Sequence, residues 1–213
     1  MQNIAGIRKE YQLQALSEKK VAADPFTQFA IWWDDALRSE IEEVNAMTLA
    51  TAGKNAIPSA RIVLLKEFSE KGFVFFTNYD SHKGKELDEN PNACLVFFWK
   101  ELERQVRISG PVKKVSATES DEYFASRPEG SRIGAWASPQ SSVIDSREFI
   151  EERSEAFLQK FAGIEIFRPP HWGGYLVIAS VIEFWQGRPN RLHDRIRYTL
   201  IENSQWKIER LAP

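Results

Sequence analysis

Cysteine is nearly missing from this chain: Cys94 stands alone among 213 residues. One thiol can form no internal disulfide, and its place in the apolar run "ACLVFFW" suits a small packed hydrophobe in a reducing compartment, so a cytoplasmic location is expected. Histidine is scarce too. His82, His171 and His193 stand apart, with no HxxxH, HExxH or cysteine pair, and no metal site is expected. Neither sign of charge is in surplus: 28 Lys and Arg against 30 Asp and Glu leave a net charge of -2. That balance creates no broad positive field, which argues against nucleic acid or an anionic membrane as partner, and any anion site must be local. No apolar run approaches the roughly 20 residues needed to span a bilayer, and the polar opening "MQNIAGIRKEYQLQALSEKK" does not read as a signal peptide. GxGxxG, GxxxxGK[ST] and GxSxG are also missing, which removes the usual dinucleotide, triphosphate and serine-nucleophile sites.

Aromatic surface, by contrast, is plentiful. Seven tryptophans and fourteen phenylalanines favour a large core, a pocket for a flat ligand or a subunit interface. The length suits one sizeable core, so a single domain is expected over residues 21–213. Residues 1–20 are only weakly amphipathic and are expected to form a mobile arm.

Asp24 and Pro25 predict a helix start in "ADPFTQFAIWWDDALRSEIEE", with Phe26, Phe29, Ala30, Trp33, Leu37 and Ile41 recurring on one face. From Met47 the texture changes to short runs rich in β-branched and aromatic residues: "AMTLATAG", "SARIVLLKEF", "GFVFFTN", "NACLVFFWK" and "RQVRISGPVKKV". Turns such as "SEKG" are too short for parallel crossovers, so the sheet is expected to be antiparallel. The long run "GGYLVIASVIEFWQG" leads into "RIRYTLIEN" and "QWKIERLA", which read as a hairpin. Helices are predicted in "SHKGKELDEN", in "SATESDEYFASRP" with a capping box of Ser116 and Glu119 and a stop at Pro128, and in "DSREFIEERSEAFLQKF", capped by Asp145 or Ser146. The expected fold class is mainly β, an antiparallel barrel with peripheral helices.

Four stretches could carry chemistry. Arg61 and Lys66 bracket "IVLL", and strand alternation turns Arg61, Val63 and Leu65 one way and Ile62, Leu64 and Lys66 the other. Such a strand could hold a flat ligand, or simply end in solvated charges. In "FFTNYDSHKGKEL", Thr77, Ser81, His82 and Lys83 surround a helix N-terminus, which suits a phosphate or ordinary capping. Tyr123 and Arg127 lie four residues apart on a predicted helix with Ser131 beyond it, a set that could hold an aromatic phosphate ester or form a surface cation–π pair. If "RLHDR" continues as a strand, Arg191, His193 and Arg195 share a face, which needs an anion when buried and none at a solvated edge.

Taken together and in order, "IRKEY", "RIVLLK", "FFTNYDSHKGKEL", "LERQVRISG", "YFASRPEGSRIGAWASPQSS", "WGGY", "EFWQGRPNRLHDR" and "WKIERLAP" resemble the pyridoxamine 5'-phosphate oxidase family over nearly the whole chain. The resemblance implies an FMN-binding split β-barrel, a homodimer with FMN sites at the subunit interface, and FMN-dependent oxidation of pyridoxine 5'-phosphate and pyridoxamine 5'-phosphate to pyridoxal 5'-phosphate by O2. It assigns to the cofactor Arg61, Ile62, Val63, Leu64, Leu65, Lys66, Phe76, Thr77, His82, Lys83, Gln105, Gln140, Ser141, Trp185 and Arg195. Lys66, Tyr123, Arg127 and Ser131 would hold the substrate phosphate. Arg191, Leu192 and His193 would lie at the pyridine ring, with Arg191 and His193 catalytic, and Arg8 and Tyr11 would close over the pocket as a lid.

The chain departs from the family pattern at two of these positions. His82 stands where an arginine is usual and Phe76 where a tyrosine is common, and the first replaces a permanent cation by one that titrates near neutrality. Two readings of other classes compete: a flavin- or vitamer-binding module without turnover, and a flavin reductase fed by a nicotinamide. A pure flavin carrier has no need of the set Tyr123, Arg127, Ser131, Arg191 and His193.

Overall fold

The computed structural model describes residues 10–213. Its elements are α1 (Pro25–Leu37), β1 (Ala46–Ala52), β2 (Pro58–Leu64), β3 (Glu67–Ser69), β4 (Gly72–Asn78), α2 (His82–Glu89), β5 (Asn92–Trp99), β6 (Arg104–Lys114), α3 (Ala117–Ser126), α4 (Glu129–Ala137), α5 (Arg147–Lys160), β7 (Trp172–Val177), β8 (Val181–Gln186), β9 (Asp194–Leu200) and β10 (Trp206–Leu211). Every strand pairing with a defined register is antiparallel, as the short connections require. The expected mainly β class with helices is borne out. No helix of the described residues is long and apolar enough to cross a membrane.

The chain sorts into two compact units interleaved in sequence. One comprises the described residues up to Leu49 together with Cys94–Gly110 and Ala179–Pro213; the other comprises Ala50–Ala93 and Pro111–Ile178. In the first, β10 pairs with β9, β9 with β8, and β8 with the N-terminal half of β6. Its core includes Phe29, Trp32, Phe97, Trp99, Val106, Phe184 and Tyr198, each at most 3% exposed. The buried polar tips are satisfied: Trp99 Nε1 donates to the Val44 carbonyl at 3.1 Å and the Tyr198 hydroxyl to the Ala22 carbonyl at 2.7 Å, as buried Trp and Tyr require.

In the second unit β3 pairs with β4, β4 with β7, and β7 with the C-terminal end of β6. The "SEKG" turn closes on Gly72, whose φ of 137° a side chain would rarely adopt; a Cβ there would lie 2.1 Å from the Val177 carbonyl oxygen. Ser116 and Glu119 form the expected capping box of α3. Ser146 precedes α5 without a side-chain capping bond.

Four expectations need correction. Helix α1 stops at Leu37, and its buried face is Pro25, Gln28, Phe29, Trp32 and Ala36; Leu37 is exposed. Trp32 is the more deeply buried indole, packed edge-on against Phe184 at 5.2 Å, while the half-buried Trp33 lies against Phe29, Phe97 and Trp99. "SARIVLLKEF" is two strands, with Leu65 and Lys66 between them, and "GGYLVIASVIEFWQG" likewise breaks into β7 and β8. Pro128 does not end helical structure: it is the N-cap residue of α4, a helix not anticipated, since proline is tolerated where no intrahelical N–H is needed. "RLHDR" is not a continuous strand. Asn190 and Arg191 have positive φ (57° and 61°), and β9 begins only at Asp194.

Candidate active site

The second unit holds a cavity of about 960 Å³. It is built from the edge strand β2, the end of β4, the start of α2, the end of α3, one face of α4, the segment after it and the start of β7. Arg61, Ile62, Val63, Leu64, Lys66, Phe76, Thr77, His82, Lys83, Tyr123, Arg127, Ser131, Gln140 and Ser141 all line it. Thus residues from three separated stretches, singled out in the sequence, meet in one place. Leu65 does not; it is 4% exposed and belongs to the core. Both parities of β2 face the cavity, so the expected division by strand alternation does not describe this edge. Asn78, Pro128, Gly134, Ala135, Ser138 and Trp172 also line it and were not assigned a site role, although each lies within a quoted motif: "FFTNYDSHKGKEL", "YFASRPEGSRIGAWASPQSS" or "WGGY".

Four lysine and arginine side chains, Arg61, Lys66, Lys83 and Arg127, line this space, and among the described lining residues there is no Asp or Glu. Lys83 is 8% exposed, and among the described residues its Nζ is held by neutral oxygens alone: Thr77 Oγ1 at 3.2 Å, Gln140 Oε1 at 3.3 Å and Ser81 Oγ at 3.4 Å. Burial, then the charge of Arg61, holds the Lys83 ammonium below the usual lysine range. Gly84, the next residue, is fixed by packing, since a Cβ would lie 2.0 Å from the Tyr79 carbonyl oxygen. Ser81 caps α2 by accepting from Gly84 N at 3.3 Å.

Arg61 is oriented from behind by Glu86, a residue of α2 not anticipated. Its guanidinium donates to Thr51 and Ser59 and to Glu86 Oε2 at 3.2 Å. Glu86 also accepts from Thr51 at 2.6 Å and from Ser59 at 2.7 Å, and His82 Nδ1 lies 3.8 Å from its Oε1. Burial pushes the Glu86 carboxyl up, but the bonds from Thr51 and Ser59, the His82 charge and Arg61 outweigh that and hold it below the usual carboxylate range.

The opposite wall is aromatic. Phe76 stacks on Tyr123 at 4.0 Å and on Trp172 at 5.5 Å, and the Arg127 guanidinium lies over Trp172 at 4.5 Å. Arg127 is the C-cap of α3, with extended backbone; it and Tyr123 nevertheless line the same cavity, as expected, and both pack on Trp172. Arg127 Nη1 is buried without a hydrogen-bond partner, and burial holds the guanidinium below the usual arginine range. A buried N–H without an acceptor is costly. An anion here would satisfy it.

The remaining expected residues fall in the first unit, where register assembles them. Gln105 pairs with Trp185, and Trp185 with Arg195, so three positions spread over 90 residues of sequence form one row across β6, β8 and β9. The His193 ring lies 4.5 Å from Trp185, and Tyr11 stands edge-on to Trp185 at 5.8 Å. Residues beside Tyr11 are tied down: Gln12 N and Leu13 N donate to Glu103 Oε2 at 2.8 and 3.1 Å. Arg191 and Leu192 are exposed in the turn before β9. Arg195 does not share a strand face with Arg191 and His193 as expected, and Glu183 neutralises it at 2.8 Å. Burial, then the charge of Arg191, holds His193 below the usual imidazole range. Its Nδ1 accepts from Arg188 N at 3.1 Å, which in the neutral ring leaves the proton on Nε2. Arg8 lies outside the described residues. No group of three or more His, Cys, Asp or Glu among the described residues is placed to hold a metal.

Residues 33–161 match the family model described as pyridoxamine 5'-phosphate oxidase, and residues 172–213 match that of the pyridoxine 5'-phosphate oxidase C-terminal dimerisation region. A pyridoxine/pyridoxamine 5'-phosphate oxidase of Nostoc punctiforme is 59% identical, covering 99% of this chain and 98% of its own. One of Burkholderia multivorans is 56% identical over the full length of both. Among solved structures, PhzG of Burkholderia lata, in complex with tetrahydrophenazine-1-carboxylic acid, superposes with a TM-score of 0.89 at 28% identity, covering 96% of this chain and all of that one. A pyridoxamine 5'-phosphate oxidase-related, FMN-binding protein of Nostoc punctiforme shares the fold, with a TM-score of 0.70 at 17% identity over 91% of this chain and all of that one. With full-length identity of this order and a family model that spans most of the cavity wall, the chain belongs to the pyridoxamine 5'-phosphate oxidase family.

Proposed function

We propose that the protein binds FMN and oxidises pyridoxine 5'-phosphate and pyridoxamine 5'-phosphate to pyridoxal 5'-phosphate. The observation that carries this reading is the lining of one cavity by Arg61, Lys66, Lys83 and Arg127 without a carboxylate among the described lining residues. A planar phosphate ester supplies what that lining lacks, an anion for the cations and a flat surface for the aromatic wall. The fit is chemical as well as spatial: among the described residues the Arg127 Nη1 donor has no partner and the Lys83 ammonium has only neutral ones.

On this reading Arg61, Thr77, His82, Lys83, Gln140 and Ser141 hold FMN; Gln105, Trp185 and Arg195, which belong to the first unit, are assigned to the cofactor by the family resemblance alone. Lys66, Tyr123, Arg127 and Ser131 hold the substrate phosphate, and Arg191, Leu192 and His193 the pyridine ring. When bound, FMN supplies a two-electron acceptor for the hydride lost from the substrate C4' carbon. The balance with pyridoxine 5'-phosphate and O2 is pyridoxal 5'-phosphate and H2O2; pyridoxamine 5'-phosphate also consumes a water and releases ammonia. Because Arg188 N donates to His193 Nδ1, the neutral His193 offers a donor at Nε2 rather than a base. That favours a role in orienting the ring, while the exposed Arg191 cation supplies charge. The match to a dimerisation region supports a homodimer with FMN sites at the interface.

An anaerobic mixing experiment tests the reading. Pyridoxine 5'-phosphate added to the FMN-loaded protein without oxygen is expected to bleach the flavin absorbance, and NADH is not. Bleaching by NADH alone would replace the reading with a reductase, and bleaching by neither with a carrier.

A further inference from the structure

The interior of α4 contains a glycine that the packing of the protein does not explain. Gly134 sits mid-helix, where glycine is less favourable than alanine. At three other glycines of this unit a neighbour accounts for the missing side chain: a Cβ at Gly84 would lie 2.0 Å from the Tyr79 carbonyl oxygen, one at Gly173 2.1 Å from the Tyr79 hydroxyl, and one at Gly174 2.7 Å from a Val115 methyl; at Gly163 the φ of 76° does so instead. At Gly134 a Cβ would meet nothing within 4 Å, and Gly134 lines the cavity. The helix around it is well anchored, since Arg153 Nε donates to the Ala137 carbonyl at 2.7 Å and Ser138 N donates to the Gly134 carbonyl at 2.9 Å. Gly130, in the same helix, also faces open space, but it is exposed and is not among the residues around the cavity.

We propose that Gly134 is a specificity-determining position, whose bare backbone forms the part of the cavity wall against which the planar ring of a phosphate ester lies. This rests on the function proposed above. The ligand supplies the contacts that the protein withholds, so a side chain here overpacks the occupied cavity while leaving the ligand-free fold unharmed. The two candidate occupants share this chemistry, and the ligand that loses affinity identifies which one lies against the helix.

The test compares Gly134→Ala, Gly134→Leu and the control Gly130→Ala in the full-length chain stripped of flavin. Melting temperature is measured without ligand, FMN affinity by quenching of flavin fluorescence, and KM and kcat for pyridoxine 5'-phosphate with FMN saturating. Gly134→Ala is expected to raise the ligand-free melting temperature by about 1–4 °C, as alanine favours the helix. It should weaken FMN or raise the substrate KM by about tenfold, and Gly134→Leu should do so by more. Gly130→Ala is expected to leave both affinities within twofold. The proposal is overturned if both Gly134 variants bind both ligands like the wild type, or if Gly134→Ala lowers the ligand-free melting temperature, because the protein would then occupy the space itself. Should the wild type bind neither FMN nor pyridoxine 5'-phosphate, the proposed function fails together with the inference; wild-type binding with unaffected variants sinks the inference alone.

Discussion

Replacing Lys83 by methionine asks whether the buried ammonium exists for an anion or for the fold. The side chain is 8% exposed, and its three oxygen contacts, at 3.2 to 3.4 Å, are long for hydrogen bonds of a charged donor, which run at about 2.7–2.9 Å. Those contacts contribute little to the apo protein, while burial of the charge is a cost the fold already bears. A phosphate oxygen therefore gains the interaction without a second desolvation of the lysine. One charge-assisted hydrogen bond is worth about 1.5–3 kcal/mol net, which corresponds to about 10- to 150-fold in Kd. The bare Coulomb attraction of about 4 kcal/mol per unit charge at 4 Å near a protein surface sets a ceiling. Lys83→Met is thus expected to weaken FMN by about 10- to 150-fold, read by flavin fluorescence titration, and to leave riboflavin, which has no phosphate, unchanged. The ligand-free protein should be no less stable.

The pH dependence of that stability has a definite sign. With its folded pKa held below 10.5, the ordinary value, Lys83 binds fewer protons in the native than in the unfolded state as pH rises through the interval between the two. Stability contributed by this group therefore rises with pH across that interval, and Lys83→Met removes the rise. Equal losses for FMN and riboflavin, or a ligand-free melting temperature several degrees lower, would show that Lys83 is a structural residue and refute the reasoning.

Three further outcomes are expected. His82→Arg, which puts a permanent guanidinium on the cavity wall where His82 stands, should tighten FMN in a flavin fluorescence titration, and an unchanged affinity would count against His82 lying at the phosphate. Arg191→Met and His193→Asn should each lower kcat/KM for pyridoxine 5'-phosphate by about 10²-fold or more in steady-state assays, with His193→Asn removing an acid limb that lies below 6.5, the ordinary imidazole value; wild-type turnover in either variant would remove that residue from the mechanism. Phe184→Ala, which empties a fully buried site between Trp32 and Tyr198, should cost about 3–5 kcal/mol and lower the melting temperature by about 6–20 °C in thermal unfolding.

Much of the local architecture was legible in the residues because short-range rules govern it. Turn chemistry too short for crossovers fixes antiparallel pairing, and the capping box of Ser116 and Glu119 marks the start of α3. The same rules misplaced elements where two local signals compete. Pro128 both stops one helix and starts the next, and periodicity put Trp33 on the buried face where Trp32 is the more deeply buried, because its partner Phe184 lies far away in sequence. "RLHDR" reads as a strand by alternation, yet the positive φ values of Asn190 and Arg191 delay β9 to Asp194. Such a turn depends on long-range pairing of β9 with β8.

The sequence by itself determined the family, the antiparallel class and the cationic residues available for an anion, since all three follow from residue type and order along the chain. Tertiary structure alone decided which cations lack a counter-charge. Arg195 is neutralised by Glu183, Arg61 is braced by Glu86, and Lys83 and Arg127 have no described carboxylate partner. Charge pairing falls off steeply with distance and rises with burial, and neither quantity exists until strand register and helix packing bring residues far apart in sequence to within a few ångströms.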